Sequence, residues 1–325
     1  MTRLGYQIPN FTYPGVGPDG LFEAVARQAE AAERSGFDTV LVMDHFYQLP
    51  VLGPPENYMV ECYTLLAALA QRTSTVRLGA LVTGNTYRNP ALLAKTVTAL
   101  DVVSSGRAQL GIGAGWFDLE HEALGFEFGS FTDRFEKLEE ALQIIIPMLR
   151  DERPTLSGRH YTVKQAINQP PPVGRVPVMI GGSGERKTLR MVAQYADESN
   201  LIVEPTDIPR KLDALAAHCQ RLGRDRSEIT VSVQRTVCIA PTYEQAQSDL
   251  KRYLGERGID LDTADDATRQ MIEARLVVGD PDAVGEKLAA VLDLGVDGFT
   301  CNLPANGHDP DNVELLGQTA AKLVT

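Results

Sequence analysis

An acid and an imidazole stand side by side at the end of an apolar run. Leu41, Val42 and Met43 lead directly into Asp44 and His45. Histidine titrates near neutral pH, so it can give or take a proton under physiological conditions, and a neighbouring acid can orient it. The pair is therefore a candidate catalytic site. The alternative is that both side chains are satisfied by backbone groups at the rim of the fold.

A glycine-rich run, Gly181-Gly182-Ser183-Gly184, follows another apolar stretch and precedes a helical pattern. Glycines let the backbone approach an anion closely, and a helix N-terminus presents N–H groups at the positive end of its dipole. Arg186 stands where a P-loop requires glycine, so a nucleotide triphosphatase is rejected. The run predicts a phosphate-binding loop, and a tight turn that merely needs glycine is the alternative.

The string GIGAGW, residues 111–116, is similar to a dinucleotide fingerprint, but tryptophan replaces its third glycine. Glycines at a strand end indicate the close approach of a flat ligand or of a neighbouring strand. Gly115 is therefore a candidate cofactor contact. Trp116, the only tryptophan, is either a wall of the substrate pocket or a core residue under a loop.

A third strand end carries small and polar residues in the string ALVTGNTYRNP. Thr83 and Asn85 could hydrogen-bond the edge of a heterocycle, or the segment could be a β-bulge with ordinary turn residues. A metal site is a weaker hypothesis. His121 lies between Glu120 and Glu122, but the chain lacks the His-x-His that barrel hydrolases carry on an early strand.

Eight apolar runs, each followed by a helical pattern, must position these groups. The predicted strands are residues 4–11, 37–45, 75–84, 107–115, 176–184, 198–204, 229–240 and 296–304. Eight such units predict a (β/α)8 TIM barrel, whose chemistry lies at the C-terminal ends of the strands. An open doubly wound sheet is the runner-up. We predict one domain over residues 1–325, with insertions near 46–60, 151–175 and 242–275.

Composition narrows the classes of partner. The 325 residues carry a net charge of −12, which repels phosphate backbones and argues against nucleic acid. No apolar run approaches the roughly 20 residues of a membrane span. Four scattered cysteines without a CxxC pair predict free thiols. The N-terminus has no signal-peptide pattern, which predicts a cytoplasmic protein. The expected partner is a small molecule.

These segments, in this order, resemble the luciferase-like flavin and deazaflavin oxidoreductases over nearly the whole chain. The most specific strings are GFDTVLVMDHF, YRNPALLAKTVTALDVVSSGRAQLGIGAGW and VPVMIGGSGERKTLRMVAQYAD, and LGYQIPNFTYPG is similar to the branch that depends on coenzyme F420. The resemblance implies a barrel with an F420 ring across its mouth, hydride transfer to or from a small organic substrate, and a homodimer. FMN, as in a monooxygenase, is the alternative cofactor.

The resemblance also implies roles for individual residues. The family's histidine, proposed to move a proton or steady charge at the reactive edge of the ring, falls on His45, with Asp44 beside it. Relatives carry a non-prolyl cis peptide where Leu81, Val82 and Thr83 stand, which places a side chain behind the middle ring. The complete set of predicted cofactor contacts is Leu81, Val82, Thr83, Asn85, Gly115, Glu120, His121, Gly181, Gly182, Ser183 and Gly184; Phe46, Tyr47 and Trp116 form the predicted substrate pocket.

Two departures limit the resemblance. The relative that oxidises a sugar phosphate has an acid where Trp116 stands and a tryptophan where Leu49 stands. Sugar phosphate oxidation is therefore not carried over, and Glu120 and His121 are the nearest replacements for an acid–base partner. A metal-dependent hydrolase using His45, Asp44 and His121, and a non-catalytic binding protein, are the weaker alternatives.

Overall fold

Eight parallel strands close into a barrel in the computed structural model, which describes residues 2–266, 269, 272 and 275–324. Around the ring they are β1 (Leu4–Ile8), β2 (Thr39–Val42), β3 (Arg77–Ala80), β5 (Ala108–Gly113), β8 (Val178–Gly181), β9 (Glu198–Leu201), β10 (Thr230–Ile239) and β12 (Gly298–Asn302), and β12 pairs with β1. Each lies within a predicted strand. The predicted (β/α)8 barrel is confirmed.

Four short strands lie beside the ring. β4 (Thr83–Gly84) pairs with the end of β5, and β6 (Leu156–Ser157) with β7 (Thr162–Val163) forms an antiparallel hairpin where residues 151–175 predict one. β11 (Leu276–Gly279) pairs with the outer half of β10 and was not predicted. Its four apolar residues follow a helical pattern directly, so no turn signal separates them.

Helices follow the strands on the outside of the barrel. They are α1 (Pro18–Arg34), α2 (Cys62–Leu69), α3 (Pro90–Val103), α4 (Asp118–Leu124), α5 (Phe131–Met148), α6 (Thr188–Tyr195), α7 (Ile208–Leu222), α8 (Tyr243–Gly255), α9 (Pro281–Leu292) and α10 (Pro310–Ala320). The helical stretch predicted over 242–275 begins as α8, and residues 267, 268, 270, 271, 273 and 274 of that segment lie outside the described residues.

Local sequence explains where the helices that border the site begin. Asn89 accepts a hydrogen bond from the Ala91 amide (2.9 Å), and Pro90 occupies the first helical position of α3. Ser130 and Asp133 form a reciprocal capping box at the start of α5. The short helix α4 was not predicted, because DLEHEAL is only two turns long and lacks an apolar period.

The two faces of the strands pack differently. Outward side chains such as Val40, Leu78 and Ile112 are fully buried against the helices in the main apolar core. Inside the barrel, the Asn200 amide donates to Ser232 Oγ (2.9 Å) and to Thr300 Oγ1 (2.8 Å). Polar and apolar side chains thus fill the barrel, and the open space lies above them. In the part of the chain that the structure describes, no helix combines the length and the apolar composition needed to cross a bilayer.

Candidate functional site

A cavity of about 1070 Å³ opens at the C-terminal ends of the barrel strands. This volume lies just above the range of about 300–1,000 Å³ that is typical of small-molecule and cofactor pockets. Nine of the predicted site residues line it: Asp44, His45, Leu81, Val82, Thr83, Gly115, Trp116, Gly181 and Gly182. Segments far apart in sequence therefore converge on one space. The other predicted residues, Phe46, Tyr47, Asn85, Glu120, His121, Ser183 and Gly184, do not line the cavity.

His45 is held by a buried carboxylate. Its Nδ1 lies 2.9 Å from Oε2 of Glu120, which α4 carries beneath the end of β2. The other oxygen of Glu120 accepts hydrogen bonds from the backbone amides of Phe46 and Tyr47, the latter at 2.8 Å. Glu120 also accepts from the Tyr87 hydroxyl at 2.5 Å. The ring of His45 is therefore fixed through Nδ1, and within the described part of the chain its Nε2 has no hydrogen-bond partner.

These contacts decide the charge of the Glu120 carboxyl. Burial raises its pKa, but the hydrogen bonds from His45, Tyr87 and the Tyr47 amide outweigh burial, so the pKa lies below its ordinary value. The carboxyl is ionised at neutral pH. An ionised acceptor at Nδ1 places a proton on that nitrogen, and in the neutral imidazole Nε2 is then the acceptor.

The Asp44 side chain has different hydrogen-bond partners. Arg88 donates two hydrogen bonds to the Asp44 carboxylate, from Nη1 to Oδ2 at 2.6 Å and from Nη2 to Oδ1 at 2.9 Å. The Gly84 amide also donates to Oδ2, at 3.0 Å. Burial raises the pKa of Asp44, and the Arg88 contacts oppose that shift. The carboxylate therefore ties the end of β2 to the loop before α3. This geometry favours an anchoring role for Asp44.

His121 lies behind the cavity wall. Its Nδ1 donates to the Phe117 carbonyl (2.7 Å), and its Nε2 accepts from the Thr86 hydroxyl (2.7 Å). The ring stacks on Tyr87 with centroids 4.8 Å apart. His121 thus supports Tyr87, which lines the cavity. With Asp44 and His121 both engaged elsewhere, the ligand set of the metal-dependent hydrolase is not assembled.

One cluster of the described residues has the spacing of a metal site, but it lies elsewhere. Asp133, Glu136 and His160 come together on α5 and the β6–β7 hairpin and do not line the cavity. Both acids of the cluster, Asp133 and Glu136, already form ion pairs with Arg159. The cluster therefore adds nothing to the candidate site.

Val82 forms a shelf at the bottom of the cavity. The Leu81–Val82 peptide bond is cis, at the position that the resemblance implies. A Cβ added to Gly181 would lie 2.7 Å from Val82 Cγ1, and one added to Gly113 would lie 2.9 Å from Val82 Cγ2. These two glycines let Val82 fit between β5 and β8. The glycines of the GIGAGW string thus serve the approach of a neighbouring strand.

The predicted phosphate loop leads from β8 to the N-terminus of α6. Gly182 has a φ of +116°, which only glycine adopts readily, and its amide donates to the Asn200 carbonyl at 3.0 Å. The Ser183 hydroxyl bonds to both backbone groups of Ile202 and fixes the loop to the end of β9. Thr188 at the start of α6, and Arg134 of α5, line the cavity beside this loop.

The wall formed by β10 and the segment after α8 was missed by sequence reasoning. Gln234 donates to Gln7 Oε1 (2.6 Å), and the same oxygen accepts from Asn302 (2.9 Å). Arg235 and Arg257 also line the cavity. A polar pair, Gln234-Arg235, inside the apolar string ITVSVQRTVCIA was the available signal.

The barrel is closed and parallel, and residues from several strand ends line one cavity at the carboxyl ends of the strands. This arrangement is typical of a (β/α)8-barrel enzyme. Residues 2–298 match the family model described as luciferase-like monooxygenase. The chain belongs to the luciferase-like monooxygenase family.

The chain is similar to three known proteins. An F420-dependent glucose-6-phosphate dehydrogenase of Microbacterium testaceum is 28% identical, over 95% of this chain and 93% of its own. The structure of the coenzyme F420-dependent tetrahydromethanopterin reductase from Methanopyrus kandleri has a TM-score of 0.80 and 20% identity, covering 100% and 99% of the two chains. The FMN-bound oxygenating constituent of 3,6-diketocamphane monooxygenase from Pseudomonas putida has a TM-score of 0.77, 20% identity and the same coverage.

Proposed function

We propose that this protein is an oxidoreductase that exchanges a hydride between coenzyme F420 and a small organic substrate. One observation carries the proposal: a single cavity brings together the His45 imidazole, the Val82 shelf and the Gly181–Gly182 turn. The F420-dependent relative at 28% identity supports the choice of cofactor. Asp44, a predicted catalytic residue, acts in this proposal as the anchor of the His45 segment.

The residues present fit a large planar cofactor that carries phosphate. Val82 offers an apolar surface. Its side chain has room because Gly113 and Gly181 have no side chains. The N-terminus of α6 with Thr188, and the cation of Arg134, would hold a phosphate group, while the Gly182 amide, which donates to the Asn200 carbonyl, shapes the turn. When bound, F420 supplies the hydride chemistry, and the protein supplies orientation and electrostatics.

His45 holds or moves the proton that accompanies hydride transfer. Glu120 fixes the imidazole through Nδ1 and favours a proton there, so Nε2 receives a proton from a substrate hydroxyl or returns one to a substrate carbonyl. Trp116 and Phe117 lie edge-on to the ring of His45, with centroids 5.8 Å away. Trp116, which is 60% exposed, and Tyr87 would border the substrate.

A monooxygenase that uses FMN is the second candidate. The family description and the FMN-bound neighbour of Pseudomonas putida favour it. The Val82 shelf and the glycine turn suit either tricyclic ring. The homodimer and the cytoplasmic location that the sequence predicts stay predictions.

Two titrations separate the candidates. The purified protein is titrated with F420 and, separately, with FMN, while the fluorescence of Trp116 at the cavity is followed. We expect saturable binding of F420. Tight binding of FMN with no response to F420 would reject the first candidate in favour of the second.

A panel of alcohols, carbonyl compounds and sugar phosphates is first screened for a compound that exchanges hydride with F420. The role of His45 is then tested with that compound as the substrate. We expect His45→Ala to lower kcat by about 100-fold or more, the usual size of an acid–base contribution, with only the modest fall in Tm that follows from losing one hydrogen bond to Glu120. His218→Ala, which removes a histidine on α7 outside the cavity, is the matched control. If the kcat of His45→Ala falls only as far as the loss of folded protein explains, His45 is a structural residue.

A further inference from the structure

Gln7, near the end of β1, contacts the peptide that leads into the Val82 shelf. Its side chain is only 3% exposed and lines the cavity. The Nε2 group of Gln7 donates a hydrogen bond to the carbonyl of Leu81 at 3.1 Å. Because this carbonyl belongs to the peptide bond between Leu81 and Val82, the contact acts directly on the residue that forms the shelf.

Two neighbouring amides decide which way the Gln7 carboxamide points. Its Oε1 accepts from Gln234 Nε2 on β10 at 2.6 Å and from Asn302 Nδ2 on β12 at 2.9 Å. A carboxamide rotated by half a turn would bring its NH2 group against both donors and its oxygen against the Leu81 carbonyl. The network therefore favours one orientation, with the NH2 group toward Leu81.

The other contacts of this segment leave the direction of the Leu81 carbonyl to Gln7. The Leu81 amide donates to the Val42 carbonyl at 2.9 Å, which ties the segment to β2. The Leu81 side chain lies in a small buried apolar cluster, and Val82 packs against that cluster. Apolar contacts are non-directional, whereas a hydrogen bond prefers a narrow range of distance and angle. Since the peptide group is planar, fixing its carbonyl also fixes the plane from which Val82 projects.

The shelf and the imidazole of His45 are held by separate hydrogen-bond networks. Glu120 fixes His45 at the end of β2, whereas side chains of β1, β10 and β12 fix the carbonyl before Val82. The distance between His45 and a ring that rests on Val82 therefore depends on both networks. Reacting groups need close alignment, and a misplacement of about 1 Å can lower a rate by about 100-fold.

We propose that Gln7 is a positioning residue, which holds the Leu81 carbonyl and thereby sets the place of the cofactor ring on Val82 relative to His45. This inference rests on the proposed function, because it assumes that a planar ring rests on the shelf. Gln7 acts through Val82 and exchanges no proton with the substrate, because a carboxamide does not ionise. Gln234 acts one step further away, by orienting the Gln7 carboxamide.

The first test needs no cofactor. Gln7→Met removes the donor to the Leu81 carbonyl in a side chain of similar length. Gln28→Met is the matched control, because Gln28 on α1 is also a buried amide, bonds to two tyrosine hydroxyls and does not line the cavity. The readout is the NMR methyl spectrum of protein with isotope-labelled valine, in which the Val82 signals are those that Val82→Ala lacks. We expect the Val82 signals to shift in Gln7→Met and to keep their wild-type positions in Gln28→Met.

The second test uses the enzyme with F420 and the substrate found in the panel. We expect Gln7→Met to raise the Kd for F420 by about three- to tenfold, the effect of one hydrogen bond, to alter the absorption spectrum of bound F420, and to lower kcat by about tenfold or more. Gln234→Met should change the same quantities less, since Asn302 still orients Gln7. Gln28→Met should lower the Tm and leave the Kd, the spectrum and kcat as in the wild type. A fall in Tm alone in Gln7→Met would make Gln7 a structural residue and overturn the proposal.

A failure of the proposed function gives a different result. If FMN binds the wild type and F420 does not, the Kd and absorption spectrum of FMN are measured in the same variants with the same expected changes. If neither binds, the proposed function fails and the positioning role fails with it. Unshifted Val82 signals in Gln7→Met, in a protein whose wild type binds F420, overturn the positioning role alone. If Gln7→Met does not fold, Gln234→Met decides, and unshifted Val82 signals in that variant overturn the proposal.

Discussion

The β2 wall of the cavity consists of Asp44, His45 and Tyr87, with Glu120 behind them. Each of its two carboxylates accepts hydrogen bonds from at least two groups. On the β10 wall, formed by Arg235 and Arg257, guanidinium N–H groups are left without acceptors among the described residues. A network that is complete before a ligand arrives holds its members in one geometry, as acid–base chemistry requires. We interpret the first wall as preorganised for acid–base chemistry and the second as incompletely paired in the described structure.

The largest expected difference between the walls is in stability. Arg88→Met removes the partner of the buried Asp44 carboxylate and should lower the free energy of unfolding by about 3–5 kcal/mol, the cost of breaking a buried ion pair. Arg235→Met on the β10 wall is the matched variant, and it should change that free energy by no more than about 1 kcal/mol, because lost carbonyl contacts are offset by relief of an unpaired cation. Urea denaturation at pH 7 measures both. Equal losses in the two variants would remove the distinction between the walls.

A smaller effect is expected at Glu120. Replacing this carboxylate in Glu120→Gln weakens its charge-assisted hydrogen bonds with His45, Tyr87 and the Tyr47 amide, so we expect a loss of about 1.5–3 kcal/mol near pH 7. The pKa of Glu120 is lowered in the folded state. Its contribution is therefore complete above the unfolded value of about 4.3 and is lost as the pH falls from there through the folded pKa.

The measurement is the free energy of unfolding of wild type and Glu120→Gln between pH 7 and pH 3. The gap between the two curves should be constant down to about pH 5 and should narrow below that. A gap that stays the same to pH 3 would show that the charge of Glu120 does not hold the β2 wall.

The smallest expected effect concerns the Val82 shelf between the walls. In Gly181→Ala the new Cβ would lie 2.7 Å from Val82 Cγ1, so the shelf must shift, and we expect a loss of about 1–3 kcal/mol, as for other overpacked sites. The control is Gly20→Ala in α1, where the nearest atom to the new Cβ is Val16 Cγ1 at 3.6 Å. Thermal unfolding of both variants checks this prediction. A Gly181→Ala protein as stable as Gly20→Ala would contradict the close packing of the shelf.

Patterns that repeat along the chain predicted the scaffold well. Eight apolar runs separated by helical patterns predicted the closed barrel. Short elements were missed: α4 has seven residues and β11 has four. Periodicity needs several turns or alternations to stand out, so elements of this length leave little trace. The missed helix mattered, because it carries Glu120 and His121.

The sequence by itself determined that Asp44, His45 and the glycine turn sit at strand ends, because strand and turn propensities act over a few neighbouring residues. Only the tertiary structure decided which groups pair: Asp44 with Arg88, 44 positions away in sequence, and His45 with Glu120, 75 positions away. It also decided that Arg235 stays without its full set of partners. Partnership and burial depend on the closure of the barrel, which brings distant strand ends within hydrogen-bonding distance, and no local pattern encodes that distance.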